Sequence, residues 1–197
     1  MDKNPELPPL SAIILAGGEG RRMQGADKGL IDYQGAPLIA HVSRRLPPQV
    51  AQRIISCNRN THLYSRFGDT IGDDPTLGQF AGPLAGLATA LSICRHDWVL
   101  VTPCDLPYYP TEFAQTAWAA LQQHIAQHPQ AAPIAVAHDG KQRQHLCLLL
   151  HRQERHWVYQ ALSQHPAVKH YLDSRQALEI SLSDCDAFIN FNDRDML

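Results

Sequence analysis

Short apolar runs alternate with amphipathic stretches along this chain. Residues 12–15 (Ala-Ile-Ile-Leu) and 98–102 (Trp-Val-Leu-Val-Thr) are continuous or nearly continuous apolar runs, the pattern of strands buried on both faces, and 53–57 reads as a further strand between them. Between them the apolar positions recur at helical spacing. Leu38, Ile39, Val42 and Leu46 form a stripe that Pro37 opens and Pro47-Pro48 closes. Ala85, Leu87, Ala88, Leu91 and Cys94 continue a helix from Pro83. Residues 111–128 form a longer helix, with Thr111 as its cap and Phe113, Ala117, Ala120, Leu121 and Ile125 facing inward. Residues 134–137 and 146–150 read as two strands of a hairpin turning at 138–141. Helices at 61–67, 154–164 and 168–172, short strands at 69–72 and 178–182, and an extended segment at 186–192 complete the pattern. Strands alternating with helices predict an α/β fold: a mainly parallel, doubly wound sheet with helices on both faces, interrupted by one antiparallel hairpin.

That order gives the loops after the strands their meaning, because ligands of such sheets sit beyond the carboxyl ends of the strands. The first strand runs into Leu15-Ala16-Gly17-Gly18-Glu19-Gly20-Arg21-Arg22-Met23-Gln24-Gly25-Ala26-Asp27-Lys28. Four glycines fall within nine residues, so the backbone can turn sharply and offer several N–H groups to one anion. Arg21, Arg22 and Lys28 bring three cations to the same place. Two phosphate-loop patterns fail here. The Walker spacing from Gly20 to Gly25 continues as Ala26-Asp27 instead of Lys-Ser/Thr, and the dinucleotide pattern starting at Gly18 breaks at Met23.

Other strand ends carry chemistry too. Asn58 follows the second predicted strand; it suits a nucleotide, or equally a turn or helix cap. Asp73 and Asp74 follow the third; such carboxylates can accept the N1–H and N2–H₂ donors of guanine, or serve a turn. Gly82-Pro83-Leu84-Ala85-Gly86-Leu87 opens a helix whose N-terminus adds partial positive charge, with Gly82 and Gly86 leaving room for a ligand. Pro103-Cys104-Asp105-Leu106-Pro107 follows the clearest buried strand. A lone carboxylate held there suits Mg²⁺, which takes one or two carboxylates and fills its shell with phosphate and water.

Length and composition set outer limits. The 197 residues fit one domain, 1–197, with 1–9 as a loose polar arm. A formal charge of −2 gives no general attraction to nucleic acid or to an anionic membrane. No apolar run approaches the roughly 20 residues that cross a bilayer. Five scattered cysteines, Cys57, Cys94, Cys104, Cys147 and Cys185, none in a C-x-x-C pair, predict buried reduced thiols and a cytoplasmic protein. His124 and His128 are four apart on a helix but lack an acidic or Cys partner nearby in sequence, which argues against zinc.

The stretch from Leu15 to Lys28 resembles the L-A-G-G-x-x-x-R-M-x-G-x-D-K signature of the molybdenum cofactor guanylyltransferases, the MobA family of nucleotidyltransferases. Gln24 stands where that pattern commonly has Gly. The G-P-L-A-G element at Gly82, the C-D-x-P element at Cys104 and an F-x-N-x-N element at Phe188 extend the resemblance. It implies transfer of GMP from Mg-GTP to the terminal phosphate of molybdenum-bound molybdopterin, releasing pyrophosphate. It implies catalytic roles for Arg22, Lys28 and Asp105, with Mg²⁺ on Asp105. It implies GTP binding by Leu15, Ala16, Gly17, Gly18, Lys28, Asn58, Asp105 and one of Asp73 and Asp74, with Asp74 preferred. Asn190 and Asn192 would hold the pterin substrate. The hairpin residues Lys141, Arg143 and His145 lie where that second substrate would sit; the family's Pro after the His or Gln is replaced by Leu146. Cofactor-delivery or molybdoenzyme-maturation proteins are the implied partners. Two rivals are a related transferase for another base or acceptor, which tends to carry L-A-A-G, and a nucleotide-sensing module without turnover.

Overall fold

The computed structural model describes residues 5–18, 27–77, 82–182, 185–189 and 191. Among the described residues, seven strands form one sheet in the order β5-β4-β1-β6-β8-β7-β9. These are β1 (Leu10–Leu15), β4 (Val50–Ser56), β5 (Asp69–Ile71), β6 (Trp98–Pro103), β7 (Ile134–His138), β8 (Arg143–His151) and β9 (Leu178–Ser181). β1 lies between β4 and β6 and is parallel to both, pairing Leu15 with Ser56 on one side and Pro103 on the other. β8 runs antiparallel to β6 and β7, while β7 and β9 are parallel. A two-stranded ribbon, β2 (Asp32–Tyr33) and β3 (Ala36–Pro37), stands apart from the sheet. It turns at Gln34 and Gly35, both at positive φ.

The helices divide between the two faces. On one lie α1 (Leu38–Arg45) and α4 (Phe113–Gln127), which pack Ile39, Val42, Phe113, Ala117 and Leu121 against Ile14, Ile55 and Leu100. On the other lie α3 (Pro83–Leu91), α5 (Arg155–Gln164) and α6 (Val168–Ser174), which cover Ile13, Ile54, Val99 and Val101. Because both faces are covered, β1 is buried at all six positions, which explains why it reads as an unbroken apolar run. Its one polar residue, Ser11, donates to Gln52 on β4 at 2.7 Å. Gln52 in turn donates to the carbonyl of Ile93, and Ser11 accepts from the His96 N–H. These buried polar groups tie the β6 approach to the sheet's amino end and leave the carboxyl end to the ligand loops.

The expected loose arm at 1–9 is docked over its described part: Leu7 is buried, and the Gln115 amide and Trp118 indole of α4 donate to the Pro5 and Glu6 carbonyls. Other elements also depart from the sequence expectations. Pro37 ends β3 and caps α1, so the helix starts one residue later. The long helix begins at Phe113 with Glu112 at its cap position; Thr111 does not cap it. The segment after β9 is not extended: Cys185–Phe188 is a 3-10 turn. Ala187 and Phe188 are adjacent and both buried, which a turn allows and a strand with one buried face does not. The doubly wound, mainly parallel architecture is as expected. No described helix is long and apolar enough to cross a membrane.

Candidate active site

The carboxyl ends of β1, β4, β5 and β6 converge on one edge. The Ala16 N–H donates to the Ser56 carbonyl at 2.8 Å, and the Cys104 N–H donates to the Leu15 carbonyl at 3.1 Å. The turn leaving β1 and the loop leaving β6 are therefore neighbours. Residues 19–26, Arg22 and Gln24 among them, lie outside the described residues, but the stretch returns with Asp27 and Lys28. Lys28 opens a 3-10 turn (Lys28–Leu30), and its ammonium reaches the Asp105 carboxylate at 3.2 Å. The two cores of the sequence pattern, 77 residues apart, thus meet in one ion pair.

Asp105 is held from both sides. Cys104 before it is buried, and the Asp105 backbone carbonyl accepts the Phe191 N–H at 3.2 Å. This brings the C-terminal segment to the site edge; Asn190 and Asn192 themselves lie outside the described residues. Phe191 packs on Tyr33 of the ribbon, with centroids 4.5 Å apart, and Tyr108 joins them at 6.3 Å from each. Tyr108 is partly open to solvent, so the Asp105 loop has an aromatic flank.

On the other side of β1, Asn58 and Asp73 face each other. The Asn58 amide donates to the Asp73 carboxylate at 2.8 Å and accepts the Asp73 N–H at 2.8 Å. A side chain at Gly17 would come within 3.5 Å of the Asn58 amide nitrogen, so the glycine turn and this pair are in close apposition. Asp74 turns the other way. One of its oxygens accepts from both the N–H and the hydroxyl of Thr76, and its own N–H donates to Thr89 of α3. Those Thr76 bonds hold the Asp74 carboxyl below the usual carboxylate range. Asp74 is therefore committed to the turn that follows, while Asp73 is the acid presented with Asn58. Gly86 leaves room for β4 rather than for a ligand, because a Cβ there would overlap the Ser56 hydroxyl.

Several participants escape sequence reasoning. The Arg59 guanidinium donates to the Gly18 carbonyl at 3.3 Å, adding a cation beside the glycine turn. Tyr64 and Asn60 both donate to the Asp27 carboxylate. Nothing in local spacing singles out these three; only the strand pairing brings residues 59–64 under the first loop. Conversely, Arg143 is not available to a substrate. It ion-pairs with Asp173 and Glu179, pinning β8 to α6 and β9. His145 sits near this pair, and burial, then the charges of Arg143 and Lys169, lower its pKa. The four described thiols are kept protonated by burial, which pushes Cys57 to about 11 and Cys94 to about 12 and raises Cys104 and Cys147 well above the ordinary thiol value.

The single carboxylate of Asp105 at the phosphate edge is the kind of donor taken by an ion that draws most of its shell from phosphate and water, as Mg²⁺ does. Glycine turn, cation and carboxylate gathered at one edge of a parallel sheet are the equipment of a nucleotidyltransferase. A model of the MobA-like NTP transferase domain matches residues 12–178, and the chain belongs to that family.

Its relatives agree. A molybdenum cofactor guanylyltransferase from Shewanella frigidimarina is 38% identical over 94% of this chain and 92% of its own length. Another so named, from Shewanella amazonensis, is 44% identical over 72% of this chain and 68% of its own. Among solved structures, the molybdopterin-guanine dinucleotide biosynthesis protein A of Archaeoglobus fulgidus shares the fold with a TM-score of 0.68. It is 20% identical, over 94% of this chain and 93% of that one. The 4-diphosphocytidyl-2C-methyl-D-erythritol synthase of Anaerococcus prevotii shares it at 0.65, with 11% identity over 96% and 95%.

Proposed function

We propose that this protein transfers GMP from GTP to the terminal phosphate of molybdenum-bound molybdopterin, forming the guanine dinucleotide cofactor and pyrophosphate. The observation that carries the reading is the Lys28–Asp105 contact at 3.2 Å, which joins the glycine turn after β1 to the carboxylate after β6. The names of the relatives supply the base and the acceptor.

In the step itself, an acceptor phosphate oxygen attacks the α-phosphorus. A new P–O–P linkage forms as the bond to the bridging oxygen breaks, and the electron pair leaves with pyrophosphate. The nucleophile is already ionised, so no general base is required. The work is alignment and charge neutralisation. Leu15, Ala16, Gly17 and Gly18 form the backbone turn against the phosphates. Arg22, from the same loop, and Lys28 neutralise the triphosphate. Asp105 would hold Mg²⁺, which would supply charge neutralisation on the phosphate oxygens. Its Lys28 contact keeps that carboxylate oriented toward the turn. Asp73, fixed by Asn58, is preferred over Asp74 as the acceptor of the guanine N–H donors, because Asp74 is spent on Thr76. Asn190 and Asn192 are kept for the pterin, and a delivery or maturation protein would present it.

The test is pyrophosphate release from GTP, CTP and ATP with molybdopterin as acceptor, in wild type and in Arg22→Ala and Asp105→Ala. GTP-selective, acceptor-dependent release that both substitutions abolish is expected. Release from CTP in preference to GTP, or wild-type turnover in either variant, would overturn the reading.

A further inference from the structure

Tyr64 lies in the short helix α2 (Thr61–Tyr64), is fully buried, and its hydroxyl donates to Asp27. Asn60, at the left-handed position before that helix, does not cap it with its side chain; its amide donates to the other Asp27 oxygen at 3.1 Å. Asn is among the few residues that tolerate this backbone conformation, and the conformation leaves its amide for Asp27. Both Asp27 oxygens are therefore held by one five-residue segment.

Asp27 is also where the Lys28–Leu30 turn starts. Its carbonyl accepts the Leu30 N–H at 3.0 Å. The turn is clamped from two sides at Gly29, where a Cβ would lie 2.6 Å from the Tyr64 hydroxyl and 3.2 Å from the Cys104 Cβ. Gly29 has no side chain because the tyrosine and the residue before Asp105 leave no room for one. Burial, then the nearby Cys104 and Asp27, keep the Tyr64 hydroxyl far above its ordinary pKa, so it remains a donor at any working pH.

We propose that Tyr64 and Asn60 are positioning residues for the nucleotide: through Asp27 they fix the Lys28–Leu30 turn, and with it the reach of the Lys28 ammonium toward the phosphates and Asp105. This rests on Lys28 contacting the triphosphate. It assigns to this segment a positioning role that acts through Asp27 and Lys28.

The test uses displacement of a fluorescent GTP analogue, with Mg²⁺ present, from wild type, Tyr64→Phe, Asn60→Gly and Lys28→Ala, and from Tyr64→Phe combined with Lys28→Ala. Tyr64→Phe keeps the buried ring, and Asn60→Gly keeps the left-handed backbone at an exposed position, so the second variant reports even if the first folds poorly. Hydrogen bonds to a carboxylate of this kind predict GTP binding about tenfold weaker in Tyr64→Phe and about fivefold weaker in Asn60→Gly, with GMP binding changed less than about twofold. With Lys28 already removed, Tyr64→Phe should cost less than about twofold more, since both act through one ammonium. Equal losses for GMP and GTP, full additivity with Lys28→Ala, or unchanged GTP binding in both Tyr64→Phe and Asn60→Gly would overturn the inference. If Lys28→Ala itself leaves GTP binding intact, it is the phosphate-site reading that fails, and the two failures are distinguished.

Discussion

Asn58 and Asp73 are joined by two hydrogen bonds of opposite sense, each of 2.8 Å, one to the carboxylate and one from the backbone N–H. Both ends of the amide are used, so Asn58 acts on a ligand chiefly by holding Asp73. Asn58→Ala frees the Asp73 carboxylate to rotate and leaves its N–H unpaired. We expect KM for GTP to rise about tenfold or more with a smaller fall in kcat, the size of a lost charge-assisted bond. Asp73→Asn should instead leave one acceptor oxygen, which the Asn58 amide draws to itself, and turn an NH₂ donor toward the guanine 2-amino group. Steady-state comparison of GTP with inosine triphosphate, which lacks that group, checks this. Wild type should prefer GTP by about tenfold, and Asp73→Asn should lose most of that preference. The same loss in Asp74→Asn, with Asp73→Asn normal, would return the role to Asp74.

The approach of α3 to β4 makes a second prediction, about stability alone. A Cβ at Gly86 would overlap the Ser56 hydroxyl, with Asp73 at 3.4 Å on another side. Gly86→Ala should therefore destabilise the protein by about 1–3 kcal/mol, the cost of overpacking. Removing the hydroxyl in Ser56→Ala should relieve much of it, so the double variant is more stable than the sum of the singles. Urea denaturation of the four proteins measures the coupling. Additive costs would mean that the helix backbone, not the serine, gives way.

How far the sequence reaches is visible at these positions. Lys28 and Asp105 stand out from the order of residues alone, because each follows a buried apolar run and a parallel sheet delivers such ends to one edge. The choice between Asp73 and Asp74 does not, since it turns on which acid Thr76 captures and which Asn58 captures. Tyr64 looks like an ordinary core residue in sequence; its hydroxyl becomes informative only once β1 and β4 are known to pair. Arg143 reads as a turn residue until β9 is placed beside β7 and brings Glu179 to it. At the C-terminus a signal was present but outweighed. The alternation of Phe188, Asn190 and Asn192 favours a strand, whereas the turn that forms at Cys185–Phe188 buries the adjacent Ala187 and Phe188.

Acid stability should fall in two stages. His145 and His151 both have lowered pKa values, burial being the main cause in each. The unfolded chain takes up these protons first, so stability falls as pH drops below the ordinary histidine value of 6.5 toward the lower folded values. The second stage comes from carboxyls held below their ordinary 3.8. Asp74 is lowered by the Thr76 bonds and Asp173 by the Arg143 bond; for Asp139, burial acts upward but the N–H groups of Gln142 and Lys141 and the Gln144 amide outweigh it. Their contribution is present above 3.8 and disappears as pH falls through the folded values. Urea midpoints measured from about pH 8 to about pH 3 should show both declines. In His145→Gln combined with His151→Gln the upper one should shrink while the lower one remains.

The clearest stability prediction concerns Glu154, which is fully buried under α5 and α6. Arg175 grips it through two bonds of 2.9 Å, and the Tyr171 hydroxyl donates at 3.1 Å. The guanidinium also stacks on Trp157, 4.3 Å from the ring centroid, so an aromatic face covers part of Arg175, whose side chain stays 21% exposed while Glu154 is fully buried. A buried pair of this kind adds little over apolar packing while both partners stand, but removing one leaves a charge with no compensation. Arg175→Ala should cost about 3–5 kcal/mol. Arg175→Ala with Glu154→Gln should cost distinctly less, because the stranded charge is gone even though the stacking on Trp157 is also lost. Neither change touches the ligand edge, so KM for GTP should stay at the wild-type value wherever the variants remain folded. Chemical denaturation and steady-state kinetics on the same preparations separate the two effects. A double variant no more stable than Arg175→Ala would show that packing on Trp157, rather than charge pairing, is what Arg175 contributes.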